Sequence, residues 1–365
     1  MPLSSSPLLS LSNNNKAATL HGVVERTAGS NIALVKYWGK QGRQLPANPS
    51  LSFTLRAAHT YTKIRYSPKN EQDNEQLSST VSLDFSFEGQ PNLIFADKIK
   101  QFLSGIADIF PFVEQLHFQI ESHNSFPHSS GIASSASSMA ALALCMCDIA
   151  QQIFGVLVRP ADFLHQASFL ARLGSGSACR SVYAGAAIWG QCDEVAGSSD
   201  TVAVSFADCL HPLFRDYRDA ILIVSRSEKK VSSRAGHALM DNNPFAEPRY
   251  SQARQNLKML IPALQTGDLD TFITIVENEA LTLHALMMTS TPSFLLMRPQ
   301  TLAIIEHVRQ FRADTGTPLC FTLDAGPNVH LLYPAAFAPK VGDFIKQCLI
   351  NYCEDNYWIA DQVSN

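Results

Sequence analysis

The chain has 365 residues and a mass of 40.0 kDa, a length typical of about two domains, and 46% hydrophobic residues supply enough apolar surface for two cores. Lys and Arg total 28 and Asp and Glu total 32, so the formal net charge is −4. A general nucleic-acid binder needs a broad excess of basic charge, so nucleic acid is excluded as an expected partner. No run of about 18 consecutive apolar residues occurs, and we expect no membrane partner.

The first 20 residues predict a short disordered tail, because serines and a proline interrupt their apolar residues and no basic stretch precedes them. Without an export segment, the expected location is the cytoplasm. The eight cysteines form no CxxC pair and no zinc-type spacing, and their scatter favours free thiols in a reducing compartment.

The first half of the chain mixes strands and helices. In chain order, hydrophobic periodicity predicts a strand pair over 51–66 joined near 57–59, an exposed polar loop over 67–79, a strand over 81–87, an amphipathic helix over 98–110, a helix buried between layers over 131–153, a helix over 160–173, and a strand over 181–190.

After residue 205 the composition changes to longer helical patterns. The predicted elements are a buried strand over 220–225, helices over 251–264, 268–288 and 298–311, and strands over 320–323 and 329–333. We therefore expect an N-terminal domain over 21–205 and a C-terminal domain over 206–365.

The segment 124–136 carries a Pro and Gly turn with many hydroxyls before a helix start. Backbone N–H groups there, flanked by Ser134 and Ser135, would suit phosphate. Without a Gly-Lys-Ser/Thr sequence this is not a Walker loop. The alternative is that the serines only cap a buried helix.

The segment 174–181 packs two glycines and three hydroxyls around Arg180. Glycines permit close approach of a ligand, and a guanidinium holds a carboxylate or phosphate through two parallel hydrogen bonds. The alternative is a flexible loop in which Arg180 pairs with a local acid.

Two lysines lie in the segment Asn31–Lys40. Lys36 and Lys40 have the spacing of neighbours on a helical turn, so both ammonium groups would face one anionic ligand. The alternative is a solvated basic face, against which the aromatic neighbours Tyr37 and Trp38 argue mildly.

An acidic residue, Asp324, lies between two predicted strands in a Gly-Pro turn. Considered by itself, it is explained most simply as an Asp that caps its own turn. The functional alternative gains weight only when the four segments are considered together.

Together the four segments resemble one family. NIALVKYWGK (31–40), NSFPHSSGIASSAS (124–137), ARLGSGSACRS (171–181) and DAGPN (324–328) closely resemble the diphosphomevalonate decarboxylases of the galactokinase, homoserine kinase, mevalonate kinase and phosphomevalonate kinase (GHMP) superfamily. The resemblance implies an α+β fold with an N-terminal domain like domain 2 of ribosomal protein S5 and a ferredoxin-like C-terminal domain. It also implies a homodimer.

The resemblance further implies an ATP- and Mg²⁺-dependent reaction of the small molecule (R)-5-diphosphomevalonate. The tertiary C3 hydroxyl is phosphorylated, the phosphate leaves, and loss of CO2 yields isopentenyl diphosphate. Metal ligands are not assigned. By position, the resemblance assigns catalytic roles to Asp324, Arg180 and Lys36, substrate binding to Asn31, Tyr37, Lys40, Ser175, Ser177 and Arg180, and ATP-phosphate binding to Gly131, Ser134 and Ser135.

The chain departs from the family pattern at two places. Asn48-Pro49-Ser50 stands where the family has Asn-Ser-Ser, which removes one hydroxyl and one N–H, and Lys98 stands where many relatives have an arginine. Both changes bear on the diphosphate end of the substrate. The alternatives within the superfamily are a 5-phosphomevalonate decarboxylase and a mevalonate 3-kinase-like enzyme. A catalytically silent metabolite-binding protein on the same fold is a third hypothesis, against which the joint presence of Asp324, Arg180, Lys36 and Lys40 argues.

Overall fold

The computed structural model describes residues 20–69, 81–126, 134–227 and 233–364. Two compact units make up the chain: unit 1 comprises 1–28, 60–125 and 135–182, and unit 2 comprises 29–59, 126–134 and 183–365. All but the last residue of the predicted tail, most of the polar loop over 67–79, and Gly131 lie outside the described residues. The domain boundary near residue 205 stays a prediction.

The described strands are β1 (Gly22–Val35), β2 (Lys40–Gln41), β3 (Leu45–Pro46), β4 (Ser50–Pro68), β5 (Ser82–Phe87), β6 (Gln90–Pro91), β7 (Leu116–Asn124), β8 (Ala186–Trp189), β9 (Ala203–Ser205), β10 (Arg218–Leu222), β11 (Cys320–Leu323), β12 (Val329–Tyr333) and β13 (Trp358–Gln362). The α-helices are α1 (Leu93–Ser104), α2 (Ser134–Phe154), α3 (Pro160–Gly174), α4 (Pro212–Arg215), α5 (Ser233–Ala238), α6 (Ala246–Thr266), α7 (Leu269–Met288), α8 (Pro299–Thr315) and α9 (Ala338–Phe344).

Unit 1 contains a parallel strand pair, β5 and β7, in which Ser82 lies opposite His117. The connection between them contains α1, which begins five residues before the predicted helix because the Asn92 side chain accepts a hydrogen bond from the Phe95 N–H at 3.0 Å. β7 also pairs antiparallel with the second half of β4. The result is a sheet with a helical crossover, as parallel strands require.

Helix α2 is buried on almost every side, as its small apolar residues predict. Its one carboxylate, Asp148, accepts two hydrogen bonds of 2.6 Å from the Arg26 guanidinium, so no charge is left uncompensated. Within the described ranges, α2 alone is long and apolar enough to cross a bilayer, yet 61% of that stretch is buried in the fold. A buried core helix has the same length and composition, so this is weak evidence for a membrane span.

Strand β4 is continuous over 19 residues, so the predicted break near 57–59 is wrong. The physical reason lies within unit 2, at the far end of the chain. The Asp361 carboxylate accepts hydrogen bonds from the N–H groups of Arg56, Ala57 and Ala58 at 3.0, 2.6 and 2.7 Å. These donors are satisfied without a turn.

Unit 2 contains a four-stranded antiparallel sheet in the order β11-β12-β10-β13. If β10, β11, β12 and β13 are numbered 1 to 4 in chain order, the order across the sheet is 2-3-1-4. Helices lie in the connection from β10 to β11 and in the connection from β12 to β13. This is the ferredoxin-like arrangement, so the predicted α+β fold is confirmed. The sequence reading missed β13, while β11 and β12 have the predicted bounds.

Two predicted elements are shorter in the structure. The strand expected over 181–190 is confined to β8, because Ser181 and Val182 complete a 3₁₀ helix over Gly176–Val182. The helix expected to reach Phe110 ends at Ser104, and Phe110 is buried in the irregular segment that follows. In both segments, apolar periodicity predicts which residues are buried better than it predicts where the helix or strand ends.

Candidate active site

A lysine and an aspartate meet at the ends of two strands of unit 2. Lys36 follows the last residue of β1, Asp324 follows β11, and the Lys36 Nζ lies 3.1 Å from Asp324 Oδ1. The lysine side chain is 3% exposed and the aspartate side chain 24%. A buried ammonium therefore faces a carboxylate that a ligand can still reach, and water weakens this pair little.

His284 of α7 holds the backbone of the Asp324 turn. Its Nε2 lies 3.1 Å from the Asp324 carbonyl oxygen, and since a carbonyl only accepts, Nε2 donates. Burial, opposed by this hydrogen bond and assisted by the nearby Lys36 charge, lowers the pKa of His284 to about 4. The ring is therefore neutral at pH 7 and supports the turn without adding charge.

Acidification should destabilise the protein through His284. Between pH 4 and about 6.5 the unfolded chain binds a proton at this ring that the folded chain does not, so stability falls as pH falls. Between pH 7.5 and pH 4.5 the free energy of unfolding of the wild type should fall by about 2–3 kcal/mol through this ring, and in His284→Gln this part of the fall should be absent. Urea unfolding at both pH values measures the difference. The exposed His123→Gln is the control, and a His284→Gln profile as steep as that of the wild type would contradict this assignment.

The segment Tyr37–Lys40 lies in an irregular bend that leads into β2, so the predicted helical-turn arrangement of Lys36 and Lys40 is wrong. Gly39 adopts a φ of 93°, which ends any helical continuation. Tyr37 is buried and Lys40 half-buried. The two lysines are placed by a strand end and a bend instead of by one helix face.

His237 of α5, which sequence reasoning missed, packs against this bend. Its Nδ1 accepts a hydrogen bond from the Gly39 N–H at 3.0 Å, and its ring lies 4.3 Å from that of Tyr37 and 4.6 Å from that of Trp38, between centroids. Burial, with a smaller contribution from Lys40, holds the pKa of His237 well below its usual value. The neutral ring thus fixes the backbone immediately before Lys40.

Pro49, the first departure from the family pattern, follows a residue that binds the backbone of Lys36. The Asn48 side-chain amide donates to the Lys36 carbonyl at 3.0 Å and to the Pro49 carbonyl at 2.8 Å. Asn31 is buried within β1, five residues before Lys36. Unit 2 therefore contains Asn31, Lys36, Tyr37, Lys40 and Asp324 of the predicted set, and among these Lys36 and Asp324 are in contact.

Unit 1 holds the second group of predicted residues. The 3₁₀ helix over Gly176–Val182 buries Arg180 to 2% exposure and leaves Ser177 half-buried. The Ser135 and Ser175 hydroxyl oxygens lie 3.5 Å apart, so the two serine-rich segments meet there. Burial raises the pKa of the neighbouring Cys179 thiol to about 12, and all eight cysteines are free. Cys179 is thus an unreactive packing group.

The start of α2 has the character of a phosphate site. Ser134 and Ser135 begin the helix, and its first turn carries no acidic residue. A helix of 21 residues with hydroxyls and no carboxylate at its N-terminus suits the phosphates of a nucleotide. Within the described ranges no cluster of three His, Cys, Asp or Glu side chains could by itself bind a metal ion.

Lys98, the second departure, is exposed on α1. Its Nζ lies 5.3 Å from the centroid of the Phe95 ring on the same helix. The aromatic face stabilises the ammonium without consuming its hydrogen-bond donors.

The fold is that of the GHMP kinase superfamily, and comparison with known proteins defines the family more closely. The family model for a diphosphomevalonate decarboxylase-like N-terminal domain matches residues 28–203, and that for a mevalonate 5-diphosphate decarboxylase C-terminal domain matches residues 220–363. The diphosphomevalonate decarboxylase mvd1 of Aspergillus fumigatus is 31% identical over 345 residues, which are 91% of this chain and 83% of that protein. The chain belongs to the diphosphomevalonate decarboxylase family.

Comparison with solved structures supports the same family. The mevalonate diphosphate decarboxylase of Staphylococcus aureus superposes with a TM-score of 0.77 at 29% identity, covering 95% of this chain and 97% of that one. A structure of MDDEF in complex with MVAPP, AMPPCP and magnesium has a TM-score of 0.76 at 28% identity, covering 94% of this chain and 98% of that one.

Proposed function

We propose that the chain catalyses the ATP-dependent decarboxylation of (R)-5-diphosphomevalonate to isopentenyl diphosphate, CO2, ADP and phosphate, in the mevalonate pathway of isoprenoid biosynthesis. The observation that carries this proposal is the pair of Lys36 and Asp324, 3.1 Å apart with the lysine buried, in a chain of this family. A relative bound to MVAPP, AMPPCP and magnesium supports the same substrates.

Asp324 acts first on the C3 hydroxyl in this mechanism. Its partly exposed carboxylate orients that hydroxyl and accepts its proton as the oxygen attacks the terminal phosphate of ATP. The Lys36 ammonium lies 3.1 Å from this carboxylate and offsets negative charge on the transferring group during the step. Both side chains are held by strand ends, so little reorganisation is needed.

The second half of the reaction breaks two bonds. Asp324 returns the proton it accepted to the phosphate as the C3–O bond breaks and phosphate leaves, so the carboxylate is charged again when positive charge develops at C3 and stabilises that charge. The electrons of the bond to the carboxylate carbon then form the C=C bond as CO2 leaves. We assign the orientation of that carboxylate to Arg180 and Asn31, because a buried guanidinium can hold it at two points.

We assign the ATP phosphates to Ser134, Ser135 and Gly131, on the strength of the hydroxyl-bearing, acid-free start of α2. Mg²⁺, when bound, would neutralise phosphate charge and polarise the transferred group. Its protein ligands are not assigned.

The diphosphate is assigned to Tyr37, Lys40, Ser175 and Ser177. We expect Lys40→Met to lower kcat/KM for 5-diphosphomevalonate by about 2–4 kcal/mol, mostly through KM, while KM for ATP stays within about threefold. The exposed Lys346→Met is the matched control and should change kcat/KM by less than about 0.5 kcal/mol. An unchanged KM in Lys40→Met would remove this lysine from the substrate site.

A coupled ADP-release assay tests the proposed function directly. ADP and CO2 should form in equal amounts from 5-diphosphomevalonate, faster than from 5-phosphomevalonate or mevalonate. Preference for the monophosphate would favour a 5-phosphomevalonate decarboxylase, and ADP without CO2 would favour a 3-kinase. No ADP with any of them would indicate a binding protein.

We also propose that the enzyme is a cytoplasmic homodimer, as the family resemblance implies. Sedimentation equilibrium should give a mass of about twice the 40.0 kDa of the chain. A mass of one chain at micromolar concentration would exclude the dimer.

A further inference from the structure

A buried ion pair joins two helices of unit 2 next to the lysine of the site. Arg249 of α6 donates to both carboxylate oxygens of Glu279 of α7, at 2.8 and 2.6 Å, and the two side chains are 1% and 0% exposed. The Asn256 amide donates to the same carboxylate at 2.6 Å. These residues lie outside the four sequence motifs.

The same pair binds the backbone of Lys36 on both sides. The Lys36 N–H donates to Glu279 at 2.8 Å, and Arg249 donates to the Lys36 carbonyl at 3.0 Å. Lys36 lies one residue beyond β1, so the strand ladder of β1 does not supply these bonds. The Lys36 N–H is thus satisfied by a side chain 243 positions away, and the Lys36 carbonyl by one 213 positions away together with the Asn48 amide described above.

Stability alone is a weak explanation for this pair. Removing two charges from water costs free energy that their attraction often fails to offset, and apolar replacements of similar volume are often neutral or stabilising. Apolar side chains, however, cannot bind the N–H and the C=O of Lys36. The hydrogen bonds to the Lys36 backbone therefore indicate that the ion pair places Lys36, in addition to joining α6 and α7.

We propose that Arg249 and Glu279 are positioning residues that fix the Lys36 backbone so that its Nζ reaches Asp324. This inference deepens the proposed function and rests on it for the activity readout. A displacement of about 1 Å at a reacting group costs roughly 100-fold in rate, so the loss should fall on kcat. Substrate binding, which uses other residues, should change little.

The same helix offers a matched control. Glu277 of α7 pairs with Arg312 of α8 at 2.6 Å, and its side chain is 10% exposed. Glu277 and Glu279 are two residues apart on α7, so their side chains point in different directions. The hydrogen bonds described for Glu277 go to Arg312. Removing that pair removes an ion pair from α7 while leaving the Lys36 backbone bound.

The test compares the double variants Arg249→Met/Glu279→Leu and Arg312→Met/Glu277→Leu. We expect the first to stay folded, with a kcat about 100-fold lower and both KM values within about threefold. The control should keep kcat within about threefold. A crystal structure of the first variant should show the distance between Lys36 Nζ and Asp324 Oδ1 increased from 3.1 Å to beyond 4.0 Å.

The distance separates failure of this proposal from failure of the proposed function. If the wild type does not turn over 5-diphosphomevalonate, the proposed function fails, and the distance still tests positioning. Unchanged kcat, or lost kcat with the 3.1 Å distance retained, would overturn the positioning role.

A conservative variant covers the case in which the double variant does not fold. Arg249→Lys keeps the charge pair but cannot span both Glu279 and the Lys36 carbonyl, so it should show the same kcat loss in weaker form, about tenfold. Failure of both variants to fold would assign the pair to stability and overturn the proposal.

Discussion

Asp324→Asn should lower kcat by about 10³-fold or more while KM for ATP and for 5-diphosphomevalonate changes by less than about threefold. The amide retains an oxygen that can accept from Lys36 Nζ, now 3.1 Å from the carboxylate, so the local geometry survives. What it loses is the negative charge that accepts the hydroxyl proton and stabilises positive charge at C3. Those interactions belong to the transition state, so kcat carries the loss.

ADP release and CO2 release should both be measured for this variant. Loss of both together indicates that phosphorylation needs the carboxylate, whereas ADP release without CO2 would confine its role to the second step. Asp343→Asn, at an exposed position on α9, is the control and should be indistinguishable from the wild type. Turnover near the wild-type rate in Asp324→Asn would leave only the turn-capping role.

Lys36→Met should lower kcat by about 10³-fold. Methionine fills much of the same buried volume, so the change removes the ammonium and leaves the backbone bonds of residue 36 in place. Loss of a cation near a carboxylate favours its protonated form, so the acid limb of the kcat profile should move to higher pH. The measurement is kcat from pH 5 to pH 9 at saturating substrates.

The exposed Lys346→Met is the matched control for this prediction as well. Its pH profile should superimpose on that of the wild type. If Lys36→Met retains both the rate and the position of the acid limb, the lysine has no part in the reaction, and the 3.1 Å contact with Asp324 is a structural ion pair.

The sequence identified the motif residues but predicted their local geometry less well. Lysines four positions apart fit a helical turn, yet Ile32–Val35 is an apolar run that continues a strand, and Gly39 follows with a left-handed φ of 93°. The glycine next to Trp38 was the signal against a helix. The family resemblance identifies which residues form the motifs. Where their side chains lie depends on the backbone conformation, which residue spacing alone does not determine.

The residues that sequence reasoning missed share a physical cause. Arg249 and Glu279 lie in helices whose charged residues are expected to face solvent, yet both are buried and bound to the backbone of Lys36, which is 243 positions before Glu279. His237 likewise follows no local signal for its contact with Gly39. Contacts between distant parts of a chain bury these groups, and no local periodicity reports them.

The carboxylate of Asp361 has a consequence for the order in which unit 2 can fold. The three N–H groups of β4 that donate to it lie 303 to 305 positions earlier in the chain. β13, which carries Asp361, also forms the edge of the ferredoxin-like sheet beside β10. During synthesis, β4 and β10 leave the ribosome with these partners missing, so they need protection from wrong pairing until residues 358–364 emerge. Because these contacts close a loop of some 300 residues, they are slow to form.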